Sequence, residues 1–300
     1  MVKNQHYIPQ FYLKRFGANN KIDVYDINNK KYIENSNVAN FACEKYFYDI
    51  DLDKIEDELK IFKNAPGIQI SDQAYNQTIN NPQLIEETLS KLEGKMSTYL
   101  DELEKDYSLI NNEDFLSIFF IFIRTLAIRT SGYRAGLEKI TTQTTNWLKN
   151  LGVKKCANYN LDIDPTELAK IEQLKYLISL PSLFKKSISF FNNYNIYIGI
   201  NNTDLGFIIS NEPFLHFELG FNDICFPINP HLAIIMQVKD VDDEFLVCRS
   251  KPNKENIIDL SIHDIIKYNI FQNHLMSKYL FGKKSDLENT LNIISFLKNK

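Results

Sequence analysis

A histidine lies six residues into the chain, inside the segment NQHYIPQFYLKRF (4–16). An imidazole titrates near neutral pH and serves as general acid or base wherever its place is fixed. His6 is followed by Pro9, which fixes φ, then by Gln10 and the apolar positions Phe11, Leu13 and Phe16. Those apolar residues would pin the segment into the body of the protein. Two readings stay open for His6: an acid–base group with Gln10 contacting substrate, or a plug whose imidazole satisfies a buried carbonyl. A second polar group is IRTLAIRTSGYR, which sets Arg124, Arg129 and Arg134 after an apolar run. Steps of five residues on a helix turn about 140° past one full turn, so the three do not share a face. Arg129 and Arg134 converge if the helix breaks near Ser131 and Gly132. A guanidinium fork fits phosphate bidentately, and when buried it needs a carboxylate or phosphate partner. Glu86 and Glu93 are the carboxylates that would serve structurally. Structural pairing is the expectation for Arg124, and an anion clamp for Arg129. The third group is FIISNEPF (207–214), an apolar strand running into Ser-Asn-Glu-Pro. Glu212 at such a strand end would bind a divalent cation or act as a base; the alternative is an ordinary turn with Pro213 holding its predecessor extended. FPINPHLAII (226–235) reverses the arrangement, and Asn229 falls near the same rim if the two strands pair.

What the chain lacks narrows the chemistry. The other histidines (His216, His231, His263, His274) are scattered, no HExxH is present, and no two histidines stand four apart. GxxxxGK(S/T), GxGxxG and GxSxG are absent, so a P-loop, a dinucleotide fingerprint and a hydrolase elbow are unsupported. Cys43, Cys156, Cys225 and Cys248 form no CxxC pair, which disfavours a zinc ribbon. A net charge of -4 argues against a nucleic-acid coat while leaving room for a local basic cleft. The apolar run FLSIFFIFI (115–123) is too short for a bilayer span of about 20 residues. With no signal-peptide pattern at the start, the expectation is a cytoplasmic protein without a membrane segment.

The elements that must position these groups follow from pattern. KIDVYDINNKKYIENS (21–36) reads as a β-hairpin turning at Asn28-Asn29. Leu84, Ile85, Leu89, Leu92, Met96, Leu100 and Leu103 make an amphipathic helical stripe. Asn112 caps a central apolar helix running from 113 to about 130. Asp164 and Pro165 open another helix, which Pro181 breaks or kinks. YNIYIGI, the turn NNTD, LGFIIS, DICFPINPHLAIIMQV and EFLVCRS read as strands, then helices cover about 261–281 and the stretch DLENTLNIISFLKN. The fold class is α+β in a single globular unit, residues 1–300. Its sub-regions are an N-terminal motif and β-hairpin (1–52), a large central helical region (53–192), an antiparallel β-rich region (193–252) and closing helices (253–300).

HYIPQFYLKRF, ANFACEKYFYD, IEETLSKLEGKM, RTSGYR, ISNEPF and FPINPHLAI, in that order, resemble the DUF4238 family, and YNIFQNHLMSKYLFG (268–282) resembles its closing helix, which adds Asn269 to the candidates. Two departures stand out. The family has Gln three residues before the Arg-Thr pair and Pro after it, where this chain has Leu126 and Ser131. It has Ser-Asp-Asn-Pro where this chain has Ser210-Asn211-Glu212-Pro213, so an acid's role is not carried over to Asn211. The resemblance supplies positions and no reaction, and it implies bacterial and mobile-element relatives with a role in conflict with phage or plasmids.

Two functions are weighed on these grounds. The first is a hydrolase or transferase on a phosphate-bearing substrate, nucleic acid or nucleotide, acting as a toxin or effector. His6, Glu212 and Arg129 are its catalytic residues; Gln10, Arg134, Asn211 and Asn269 bind substrate, and any divalent cation sits on Glu212. The second is a non-catalytic sensor or ligand-binding module of a defence system, with a protein partner encoded by a neighbouring gene.

Overall fold

In the computed structural model, the described residues are 3–49, 81, 83–153, 164–179, 191–213, 223–240, 246–273 and 277–299. The acidic and loop-like stretch around 53–80, Cys156, Pro181, His216 and His274 lie outside them. The opening segment folds back on itself. Strand β1 (Asn4–His6) pairs antiparallel with β4 (Cys43–Lys45), placing His6 opposite Cys43. Between them come the short helix α1 (Gln10–Lys14) and a hairpin of β2 (Lys21–Asp26) and β3 (Lys31–Asn37). Its turn is closed by Asp26, whose Oδ1 accepts from the Asn29 N–H at 2.9 Å, and Lys30 takes the positive φ of 50°.

Helix α2 (Leu84–Leu103) buries Ile85, Leu89, Met96, Leu100 and Leu103, five positions of the stripe its spacing predicts. Helix α3 (Glu113–Ile128) is capped by Asn112, whose side chain accepts from the Phe115 N–H. Phe119 and Phe122 of α3 meet Phe226 edge-on, and Tyr12 stacks on Phe226 with ring centres 5.1 Å apart. The Tyr12 hydroxyl donates to the Pro227 carbonyl at 2.7 Å. The N-terminal motif is therefore bolted to the C-terminal sheet across the central helix. Helices α4 (Ser131–Asn150) and α5 (Pro165–Ser179) pack on each other beside it. Among the described residues no single helix is long and apolar enough to cross a membrane; α3 and α4 pass that test only as a pair bent by 57°, and α3 is core.

The remaining elements are β5 (Tyr194–Ile200), β6 (Ile209–Ser210), β7 (Asp223–Asn229), β8 (Leu232–Val238), β9 (Ile257–Asp259), α6 (Ile262–Gln272), β10 (Tyr279–Gly282) and α7 (Lys284–Lys298). One sheet has the order β7-β8-β5-β9, antiparallel apart from the β5–β9 edge. The other has the order β3-β2-β10-β6 and joins N-terminal to C-terminal strands. The architecture is α+β with an N-terminal hairpin, as expected.

Two local expectations change, and the conditional placement of Asn229 beside Glu212 is not met. The runs flanking NNTD do not pair, because Asn201 ties the turn to the Leu205 and Pro230 carbonyls and β6 then joins β10 in the other sheet. Asn229, in β7, therefore shares no sheet with the strand end at Glu212. Residues 279–282 form a strand and not helix, since α6 stops at Gln272 and the Asn211 amide accepts from the Lys278 and Tyr279 N–H groups to start β10. Residues 246–250 of the expected last strand form none, because the Asp223 carboxylate takes the Val247 and Cys248 N–H groups that a ladder would use.

Candidate functional site

The junction between α3 and α4 gathers the polar groups. It is held from below by Gln173 of α5, whose side-chain amide donates to the Ile128 and Thr130 carbonyls at 2.7 and 3.0 Å. The Ile128 carbonyl sits at the end of α3, where intrahelical donors run out, and the Thr130 carbonyl also accepts from the Arg134 N–H at 3.3 Å. Thr130 then caps α4 by accepting from the Tyr133 N–H.

Arg129 stands at the turn and is 1% exposed. Its Nη1 donates to Glu93 Oε1 at 2.7 Å, its Nε to the Tyr48 hydroxyl at 3.1 Å, and its Nη2 to the His6 carbonyl. The Tyr48 hydroxyl donates in turn to the Arg129 carbonyl at 3.1 Å. Burial alone would disfavour the guanidinium charge, but Tyr48 and Glu93 more than offset it and hold the pKa above the ordinary arginine value. Burial pushes the Tyr48 phenol up to about 12, so it stays a neutral donor. Glu93 is one of the two structural partners foreseen for a buried arginine. The other, Glu86, has its pKa raised by burial, and its Oε2 is a buried oxygen with no hydrogen bond.

His6 meets this cluster through its backbone, and its ring points elsewhere. The half-buried imidazole lies 3.2 Å from the Ala39 carbonyl, with the Gln10 amide nitrogen 3.4 and 3.3 Å from its two ring nitrogens. Burial lowers its pKa, which keeps it neutral at pH 7. Gln5 and Tyr7, on either side, face the opposite way: Gln5 bonds Asp49 and the Tyr48 N–H, and Tyr7 packs on Phe47.

Glu212 reaches the same junction from the end of β6. It is 7% exposed, and its Oε1 accepts from the Gly132 N–H at 2.8 Å, at the positive end of α4. Gly132 leaves room for this approach: a Cβ there would lie 2.5 Å from Glu212 Oε1, so the carboxylate would have to shift. Asn211 donates to the same carboxylate at 3.3 Å and is otherwise spent on starting β10. Ser131 Oγ is buried beside these groups without a hydrogen bond of good geometry, although it lies against the Tyr7 hydroxyl.

Arg134, one turn into α4, is different in kind. Its Nε donates to Gln173 Oε1 at 2.7 Å and its Nη2 to the Phe47 carbonyl at 2.9 Å, while the guanidinium carbon lies 3.5 Å from the Phe47 ring centre. No acidic side chain among the described residues forms an ion pair with it. Burial pulls its pKa down to about 10, with Glu44 and Glu167 acting only from a distance.

The structure thus brings Arg129, Arg134, Asn211, Glu212 and the His6 backbone to the two sides of one helix junction, while the His6 ring faces Ala39 and Gln10. Asn269 sits apart in the core: its Oδ1 accepts from the Ile208 N–H and its Nδ2 donates to the Gly206 carbonyl. Arg124 is exposed on α3 and forms no ion pair among the described residues, where structural pairing was expected. Sequence reasoning missed Tyr48, Gln173 and Tyr7. EKYFYD offered aromatic density as a signal, whereas nothing local marks Gln173 among the buried positions of α5. Among the described residues no three His, Cys, Asp or Glu side chains are placed to hold a metal ion.

No curated protein and no solved structure matches the chain. Residues 4–292, nearly its whole length, match the family described as Protein of unknown function (DUF4238), and the chain belongs to that family.

Proposed function

We propose that the protein is a hydrolase or transferase acting on a phosphate-bearing substrate, a nucleotide or nucleic acid, with Arg134 as the anion-binding group and His6 as the general base. The observation that carries the reading is the charge of Arg134, half-buried and without a carboxylate partner. An unneutralised guanidinium in a low-dielectric place costs free energy that an incoming phosphate relieves. Gln173 and Phe47 already fix its plane, so little order has to be gained on binding. A neutral His6 is in the protonation state a general base needs, and because its ring lies on the opposite face of β1 from Tyr7 and the Phe47–Arg134 stack, the substrate has to reach round that strand. Arg129, saturated by Glu93, Tyr48 and the His6 carbonyl, is a positioning residue in this reading.

The test uses pyrophosphate binding by calorimetry and hydrolysis of nucleotide and oligonucleotide substrates, with and without magnesium. Arg134→Met is expected to abolish binding, and His6→Gln to keep binding while losing turnover. Unchanged pyrophosphate affinity in Arg134→Met refutes the assignment.

A second reading, a non-catalytic ligand-binding module of a defence system, is favoured by the internal saturation of Arg129, Asn211 and Asn269. It expects the same loss in Arg134→Met, no turnover of any phosphate ester, and no effect of His6→Gln on toxicity in cells. A partner from a neighbouring gene would co-purify under this reading.

A further inference from the structure

Helix α4 turns its apolar side outward. Thr141 and Thr145 are buried where it packs on α5, while Ile140, Trp147 and Leu151 are 60%, 61% and 60% exposed. A helix of a globular protein ordinarily does the reverse. The exposed three belong to a longer series, in which Tyr133, Leu137, Ile140, Thr144, Trp147 and Leu151 follow at steps of four, three, four, three and four. At about 100° per residue they fall within a stripe about 80° wide, centred about 100° round the helix from the buried threonines. Alternating steps of three and four make a coiled-coil seam, the pattern that receives another helix. Tyr176 of α5, 43% exposed, extends the patch beside Tyr133, with ring centres 6.5 Å apart.

We propose that this face of α4 pairs with the same face of a second copy of the chain, antiparallel, about a two-fold axis near Thr142. The step order reads the same in both directions, so an antiparallel copy matches it position for position. Tyr133 faces Leu151 of the partner copy, Leu137 faces its Trp147, and Ile140 faces its Thr144. Such an interface is isologous and closes at two subunits. The flanks suit identical helices. Beside the seam stand Gly136, Thr141, Gln143, Leu148 and Asn150, with Arg134 the one charge, and its guanidinium is turned onto Gln173 and Phe47 of its own chain. No like charges are brought together, whereas a partner chosen by charge would find Glu and Lys there. Apart from Arg134 the flank also lacks the Lys and Arg of a helix that lies on a membrane. The seam from Tyr133 to Leu151 is about 28 Å long, at the low end of specific interfaces, so the dimer dissociates on dilution.

Trp147 is the chain's single tryptophan, so its fluorescence reads the interface directly. Sedimentation across a concentration series is expected to show the mass rising toward twice that of the chain, with Trp147 emission moving to the blue in step. Ile140→Glu and Leu151→Glu, both at exposed positions, are expected to hold the protein monomeric with red emission and an unchanged far-ultraviolet circular dichroism spectrum. A protein that stays monomeric at all concentrations overturns the proposal, whether its emission is red or already blue. A dimer whose Trp147 emission does not move, or that survives both substitutions, overturns it equally.

Discussion

Arg129→Met separates a positioning arginine from an anion clamp. The guanidinium is 1% exposed and donates to Glu93, Tyr48 and the His6 carbonyl. Removing one partner of a buried ion pair costs about 3–5 kcal/mol, because the other charge is stranded. Here the stranded group is Glu93, whose side chain is 24% exposed, so water recovers part of that penalty. Against this, the His6 carbonyl loses a charged donor, and an unsatisfied buried acceptor costs about 1–3 kcal/mol. Methionine fills most of the volume and leaves little cavity. The sum is about 3 kcal/mol, and at about 2 °C per kcal/mol for a chain of this length the midpoint falls by about 6 °C. Urea unfolding followed by circular dichroism measures it, with Arg124→Met, exposed on the same helix, as the control expected near zero. Adding Glu93→Gln to Arg129→Met is expected to restore part of the loss, since no charge is then stranded. If Arg129→Met and Arg124→Met differ by less than about 1 kcal/mol, the buried pair does not hold the junction.

Gly132→Ala pushes a methyl group to within 2.5 Å of Glu212 Oε1 and is expected to cost about 1–3 kcal/mol in urea unfolding, whereas Gly136→Ala on the same helix meets nothing within 4 Å and is expected to stabilise by about 0.5–1 kcal/mol. Equal effects at the two positions would contradict the close approach of Glu212. Asn269→Ala orphans the Ile208 N–H and the Gly206 carbonyl and is expected to cost about 3 kcal/mol with an unchanged denaturant slope. For His6, burial lowers the pKa below the unfolded value of about 6.5, so the unfolded chain takes up the proton first as the pH falls. The stability held by neutral His6 is therefore fully present above about pH 6.5 and drains away as the pH falls toward the folded value. The stability difference between the parent and His6→Gln, measured by urea unfolding from pH 5 to 8, is expected to be flat above pH 7 and to change below 6.5; a flat difference throughout contradicts the burial of the imidazole.

What was legible in the sequence is local. The stripe of α2, the Asn112 cap and the hairpin at Asn28-Asn29 depend on neighbours within a turn or two, so spacing reveals them. Strand β10 is not of that kind. Its residues continue a helical pattern, and they become a strand because the Asn211 side chain and β2 supply the partners. Glu93 was legible as a partner for a buried arginine because such a charge must be neutralised. Which arginine it serves was not, since that depends on where the chain breaks after Ile128. The same break decides that Arg129, and not Arg134, is the arginine paired with a carboxylate among the described residues.

The geometry at His6 makes its role separable by mutation. Arg129 grips the carbonyl oxygen of His6, and Tyr48 approaches the same oxygen at 3.5 Å. The imidazole takes no part in that grip; it looks toward Ala39 and Gln10. A substitution at position 6 therefore leaves the clamp in place, because every residue carries the carbonyl. Pro9 continues to hold the segment by its fixed φ, Tyr12 by stacking on Phe226 and Phe16 by packing on Tyr12. Loss of turnover in a folded His6→Gln protein then reports on the ring and its proton, while loss of stability in Arg129→Met reports on the clamp. The segment is thus a clasp by its backbone and a candidate acid–base site by one side chain.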